Sequence, residues 1–267
     1  MTRVFPILLI LCLVLFLATQ IAVAQEAPPK ITPSGAPDCT APQDVTRFKQ
    51  SLPNTARAIR KGEVLTIVAI GSSSTEGIGA TEDDKAYPAQ LARALRKQWP
   101  DLKIVVINKG VGGEDAQQML RRFETDVLPY DPQLVIWQVG SNYALLNRDM
   151  DAYTAILRKG VKLLKASDTD VILMDLQYAP QVLGKPVHRR VVTAMGELAN
   201  DLKVAVFRRF ATMRHWVTGG RYKMQDIVAS DRLHMNDVSY GCIGRLLADS
   251  VSAAARAVPT ALGSTRR

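Results

Sequence analysis

Apolar positions along the chain fall into two alternating rhythms. Residues 64–70 form a continuous β-branched and apolar run, which predicts a strand buried on both faces. Residues 88–98 place Leu91, Ala92 and Leu95 at helical spacing behind Pro88 in a first-turn position. The alternation then repeats. Strands are predicted at 103–107, 134–139, 170–176 and 204–207. Helices are predicted at 115–127, 150–165, 190–201 and 238–257, the last with Asn236 or Asp237 as N-cap. An earlier helix over 44–61 carries a break near Pro53. Five strands alternating with helices specify an α/β fold with a parallel sheet covered on both faces.

The first residues follow another pattern. Arg3 precedes an apolar run from 4 to 18, and Ala22-Val23-Ala24 supplies a small-residue cleavage site. Residues 1–24 therefore read as a secretory signal peptide, the rival reading being an uncleaved membrane anchor. Residues 25–42 carry five prolines and read as an extended linker. Residues 43–258 form one domain without internal repeats, and 259–267 a short polar tail. An exported protein lies in the periplasm or outside the cell.

Composition changes this picture in two ways. The 267 residues have a net charge of +9, and the signal removes Arg3 as its one charged residue, leaving +8. The basic clusters, including Arg121-Arg122, His188 to Arg190 and Arg208-Arg209, are dispersed over different elements and read as solvated faces. No recognition-helix or aromatic-interleaved RNA pattern occurs, so nucleic acid is not an expected partner; an anionic envelope surface is. Of three cysteines, Cys12 lies in the signal. Cys39 and Cys242 remain, either as one disulfide or as a free thiol and a buried one.

Ligands of open parallel sheets bind beyond the carboxyl ends of the strands. The exit loops read Gly71-Ser72-Ser73-Ser74-Thr75-Glu76-Gly77, then Asn108-Lys109-Gly110-Val111-Gly112-Gly113-Glu114-Asp115, then Gly140-Ser141-Asn142-Tyr143. Asp231-Arg232-Leu233-His234 stands ahead of the last helix. The loops lack the phosphate-loop lysine, the full dinucleotide fingerprint and any HExxH or paired CxxC, so no cofactor or metal is expected. What they hold is serine-hydrolase chemistry. A serine hydroxyl needs a base to take its proton, and the imidazole of His234 is a candidate for that base. Asp231, three residues earlier, is close enough on a turn to orient the imidazole. The Gly113 and Ser73 backbone N–H groups and the Asn142 amide are candidate oxyanion donors. His188 and His215 have no carboxylate three or four residues before them and read as surface or packing residues.

These four blocks, in order between about residues 64 and 248, resemble the SGNH (GDSL-type) hydrolase family. The resemblance places the nucleophile at Ser73, the oxyanion hole at Ser73, Gly113 and Asn142, and the base and orienting acid at His234 and Asp231. It implies a three-layer α/β/α sandwich with a five-stranded parallel sheet of flavodoxin-like order. It also implies an esterase acting on a small acyl ester, here an acylated envelope glycan or lipid. Two positions depart from the family pattern: Ser72 and Tyr143 stand where the family carries aspartates. They keep standing a non-catalytic envelope-binding protein on the same fold; an O-acyltransferase on the same site, passing the acyl group to a sugar hydroxyl instead of water, is a separate alternative.

Overall fold

The apolar runs pair as the alternation predicts. A computed structural model describes residues 37–259; the predicted signal peptide with Cys12, most of the proline-rich segment and residues 260–267 lie outside the described residues. The strands are β1 (Leu65–Gly71), β2 (Ile104–Gly110), β3 (Leu134–Gln138), β4 (Asp170–Met174) and β5 (Ala205–Phe207). All pair in parallel, in the order β2-β1-β3-β4-β5. This is the flavodoxin-like order, with its switch point between β1 and β3.

Alternate strand residues feed two separate cores. Ile67, Ala69, Leu134, Ile136 and Met174 pack on one face, against α3 (Tyr87–Gln98), α8 (Arg209–Thr218) and α9 (Asp237–Arg256). Helix α1 (Pro53–Lys61) adds Ala58 to that core. Val68, Ile70, Val135, Trp137 and Leu173 pack on the other, against α4 (Ala116–Arg121), α6 (Met150–Ala166) and α7 (His188–Leu202). The remaining labelled helices, α2 (Ser73–Glu76) and α5 (Ser141–Leu145), are single turns directly beyond β1 and β3. No helix among the described residues is long and apolar enough to cross a membrane.

Four expectations need correction. Strand β2 runs on to Gly110, because Asn108, Lys109 and Gly110 pair with Ala69, Ile70 and Gly71 despite their polarity. The helix expected over 115–127 is interrupted at Arg122, where α4 has ended, and a separate turn spans Phe123–Asp126. Helix α8 was not foreseen. The described end of the proline-rich segment, residues 37–42, is tied to the domain rather than extended away from it. Trp216 Nε1 donates to Thr40 O at 3.1 Å, Arg221 Nη1 to Asp38 Oδ1 at 3.0 Å, and a disulfide joins Cys39 to Cys242 of α9 with their Cα atoms 5.0 Å apart.

The basic clusters are also less uniform than they read. Arg209 is fully buried, and the Arg122 side chain is only 14% exposed. His188 is a packing residue, its ring 5.5 Å from that of Phe210.

Candidate active site

The predicted residues meet at the carboxyl ends of β1, β2 and β3, over the switch point. Ser73 opens α2, one residue beyond Ser72 in extended conformation. Its N–H belongs to the first turn, where a helix supplies no acceptor, and it has none among the described residues. The Ser73 Oγ lies 2.8 Å from His234 Nε2, and His234 Nδ1 lies 2.5 Å from Asp231 Oδ2. A carboxylate oxygen only accepts, so Nδ1 carries the proton and Nε2 is the acceptor that faces the serine.

The Asp231-to-His234 turn is built by the same carboxylate. Asp231 Oδ1 accepts the N–H groups of Leu233 at 2.8 Å and of His234 at 2.9 Å. Arg232 between them is left-handed, with φ +63°. Burial works against ionisation of Asp231. The bonds from the His234 ring and from the His234 and Leu233 N–H groups outweigh it, so the carboxyl titrates below its ordinary value.

The second loop brings Gly113 to φ +79°, a conformation suited to glycine. Its N–H has no acceptor among the described residues. Gly110 is needed for a different reason, since a Cβ there would overlap the backbone of Glu76 in α2. Asn142, in α5, donates from Nδ2 to Glu114 O at 2.8 Å. That bond holds one amide hydrogen against the Gly113 loop and leaves the other for a ligand. The loop is fixed in turn by Arg122, which donates to Glu114 Oε2 at 2.7 Å, Lys109 O at 2.7 Å and Gly71 O at 3.3 Å.

The two departures from the family pattern have structural counterparts. Ser72 is buried, and both its N–H (3.0 Å) and its hydroxyl (3.2 Å) donate to Gln138 Oε1 at the end of β3. Thr75 Oγ1 joins them at 3.1 Å. A buried amide oxygen thus anchors the serine loop. Tyr143 turns inward, its ring 4.7 Å from that of Tyr153. Sequence reasoning missed Gln138, Arg122 and Arg209. The one available signal was a polar Gln138 closing an otherwise apolar buried run. Among the described residues no cluster of metal-binding side chains occurs.

Comparison with known proteins gives the family and the fold. The family model described as non-GDSL lipase-like matches residues 38–257. An acetylxylan esterase from Geobacillus stearothermophilus is 29% identical over 156 residues, covering 52% of this chain and 71% of that protein. An arylesterase from Vibrio mimicus is 26% identical over 143 residues, covering 54% of this chain and 69% of that protein. A two-domain esterase active on acetylated mannans, crystallised with mannopentaose, has the same fold with a TM-score of 0.65 at 18% identity. That match covers 79% of this chain and spans 56% of the two-domain protein. With the family model matched over most of its length, the chain belongs to the non-GDSL lipase-like family, an SGNH-type esterase family.

Proposed function

We propose that the protein is an exported carboxylic ester hydrolase that removes a short acyl group, acetyl above all, from an envelope or extracellular glycan. The observation that carries the reading is the unbroken bonded line from Ser73 Oγ through His234 to Asp231. Ser73 Oγ attacks the ester carbonyl while His234 Nε2 takes its proton, and Asp231 holds the imidazolium that forms. The oxyanion is met by the N–H groups of Ser73 and Gly113 and the second Asn142 amide hydrogen. Collapse of the tetrahedral adduct breaks the bond to the alcohol, which leaves with the proton from His234. Water, deprotonated by His234, then releases the acid from Ser73.

The acyl-group assignment draws support from the names of the relatives, an acetylxylan esterase and an esterase active on acetylated mannans. The surface agrees with a neutral organic substrate. Ile78, Val111 and Leu146 are exposed apolar side chains on the three loops that carry Ser73, Gly113 and Asn142. A cavity of about 490 Å³ lined by Pro180, Met224, Val228, Ala229 and Arg232 adjoins the His234 loop and offers room for the alcohol part. Export is supported by the Cys39–Cys242 disulfide, since such bonds persist in oxidising compartments.

The test is turnover of a short-chain aryl ester and of an acetylated xylan or mannan. Ser73→Ala is expected to abolish both, and unchanged turnover would sink the assignment. Measuring free acetate against acetylated product with an added glycan acceptor separates hydrolysis from transfer.

A further inference from the structure

We propose that Gln177, held by the buried guanidinium of Arg209, is a positioning residue that sets the Asp231–His234 turn against the oxyanion loop. The proposal rests on the ester-hydrolase reading above.

Arg209 opens α8 with no exposure; the buried Asp175 carboxylate is the main acid acting on its charge, with no side-chain ion pair between them among the described residues. Its Nε donates to Asp175 O at 2.9 Å and its Nη2 to Gln177 Oε1 at 3.0 Å. Ser141 Oγ donates to the same Gln177 oxygen at 2.6 Å. Gln177 Nε2 donates to Leu233 O at 3.2 Å. Leu233 lies between Asp231 and His234, and Ser141 is the neighbour of Asn142. One buried amide therefore touches both the turn that carries acid and base and the turn that carries the oxyanion amide.

The remaining contacts show why Gln177 matters on the inner side of the turn. Its outer side is held by Gln181, which donates from its backbone N–H to Arg232 O at 3.1 Å and from Nε2 to Asp231 O at 2.7 Å. The inner side has Gln177 on Leu233 O. A fully buried arginine is costly where an apolar side chain would pack as well. Here its charge draws electron density toward Gln177 Oε1. That makes Nε2–H a stronger donor to Leu233, because bonds in a chain polarise one another.

Two variants separate positioning from mere support of the fold. Gln177→Glu keeps oxygens facing Arg209 and Ser141 but loses the donor to Leu233 O; Gln177→Met loses both sides. Active sites are counted by the burst with a fluorophosphonate ester, and kcat is expressed per counted site. Both variants are expected to give a full burst amplitude, with kcat down by roughly 10²-fold and KM unchanged. Gln177→Glu should retain the wild-type Tm. Wild-type kcat per site in Gln177→Glu overturns the proposal. So does a loss of burst amplitude that accounts for the whole loss of rate. Ser73→Ala, run beside them, reports on the underlying reading alone: activity remaining there overturns the esterase assignment whatever the Gln177 variants do.

Discussion

Asp231 answers two needs with one carboxylate. One oxygen closes the turn by taking two backbone N–H groups, and the other orients His234. The residue is turn former and partner of the base at once. Asn142 divides its amide similarly between Glu114 and the open site. Asn142→Ala should lower kcat by roughly 10²–10³ with little change in KM, as loss of one oxyanion donor does elsewhere. Gly113→Ala isolates backbone strain, because a Cβ there meets nothing within 4 Å while φ is +79°. A stability loss of about 1 kcal/mol in urea, with a fall in kcat as the N–H swings away, is expected. Ser72→Asp, which writes the Gly-Asp-Ser pattern into this loop, sets a buried carboxylate against the accepting oxygen of Gln138. It should cost about 1–3 kcal/mol, and a variant as stable as wild type would show that the Gln138 amide turns over instead. The triad was legible because its chemistry demands particular residue types at strand exits. Gln138, Gln177 and Arg209 were not, since their roles depend on which distant groups they meet.

Helix α8 shows how an element hides. Its buried residues are Arg209, Phe210, Thr212, Met213 and Trp216, with a charge and a hydroxyl among the apolar members. A pattern counted in apolar residues alone misses it. The strands and the other long helices were found because apolar residues dominate their buried faces. Strand β2 was read short for the same reason as α8, its last three residues being polar yet paired. The interruption at Arg122 has a structural product, a clasp over the ends of β1 and β2 and the Gly113 loop. Arg122→Met leaves Glu114 without its cation, Asp126 with Lys109 alone at 3.8 Å, and two strand-end carbonyls without this donor. A loss of about 3 kcal/mol on denaturant unfolding is expected, with a fall in kcat through the Glu114 carbonyl that holds Asn142.

Over the whole molecule, one buried acid should shape the pH dependence of stability. Burial pushes Asp175 up to about 7, against the opposing bond from the Phe210 N–H and the nearby Arg209 and Arg208 charges. Between about pH 4 and 7 the folded state then holds a proton that the unfolded chain has released, so stability falls as pH rises through that window. Asp175→Asn keeps an acceptor for Phe210 and should flatten that stretch of the curve, leaving the variant more stable than wild type at about pH 8. Chemical denaturation across pH checks this. The disulfide acts on the same scale. Its cysteines are 203 residues apart, and removing so long a loop constraint with Cys39→Ser and Cys242→Ser should cost about 3–5 kcal/mol, seen as a lowered Tm.

That separation also orders events in time. Synthesis and any passage through a membrane pore deliver Cys39 early and Cys242 late, after about nine-tenths of the domain has been threaded. Between residues 37 and 259 neither sulfur has any other cysteine to join, so no wrongly bridged isomer of the domain exists. The cross-link closes only when α9 has arrived beside the N-terminal segment. Oxidation of Cys39 with Cys242 is thus a late event that marks a finished domain.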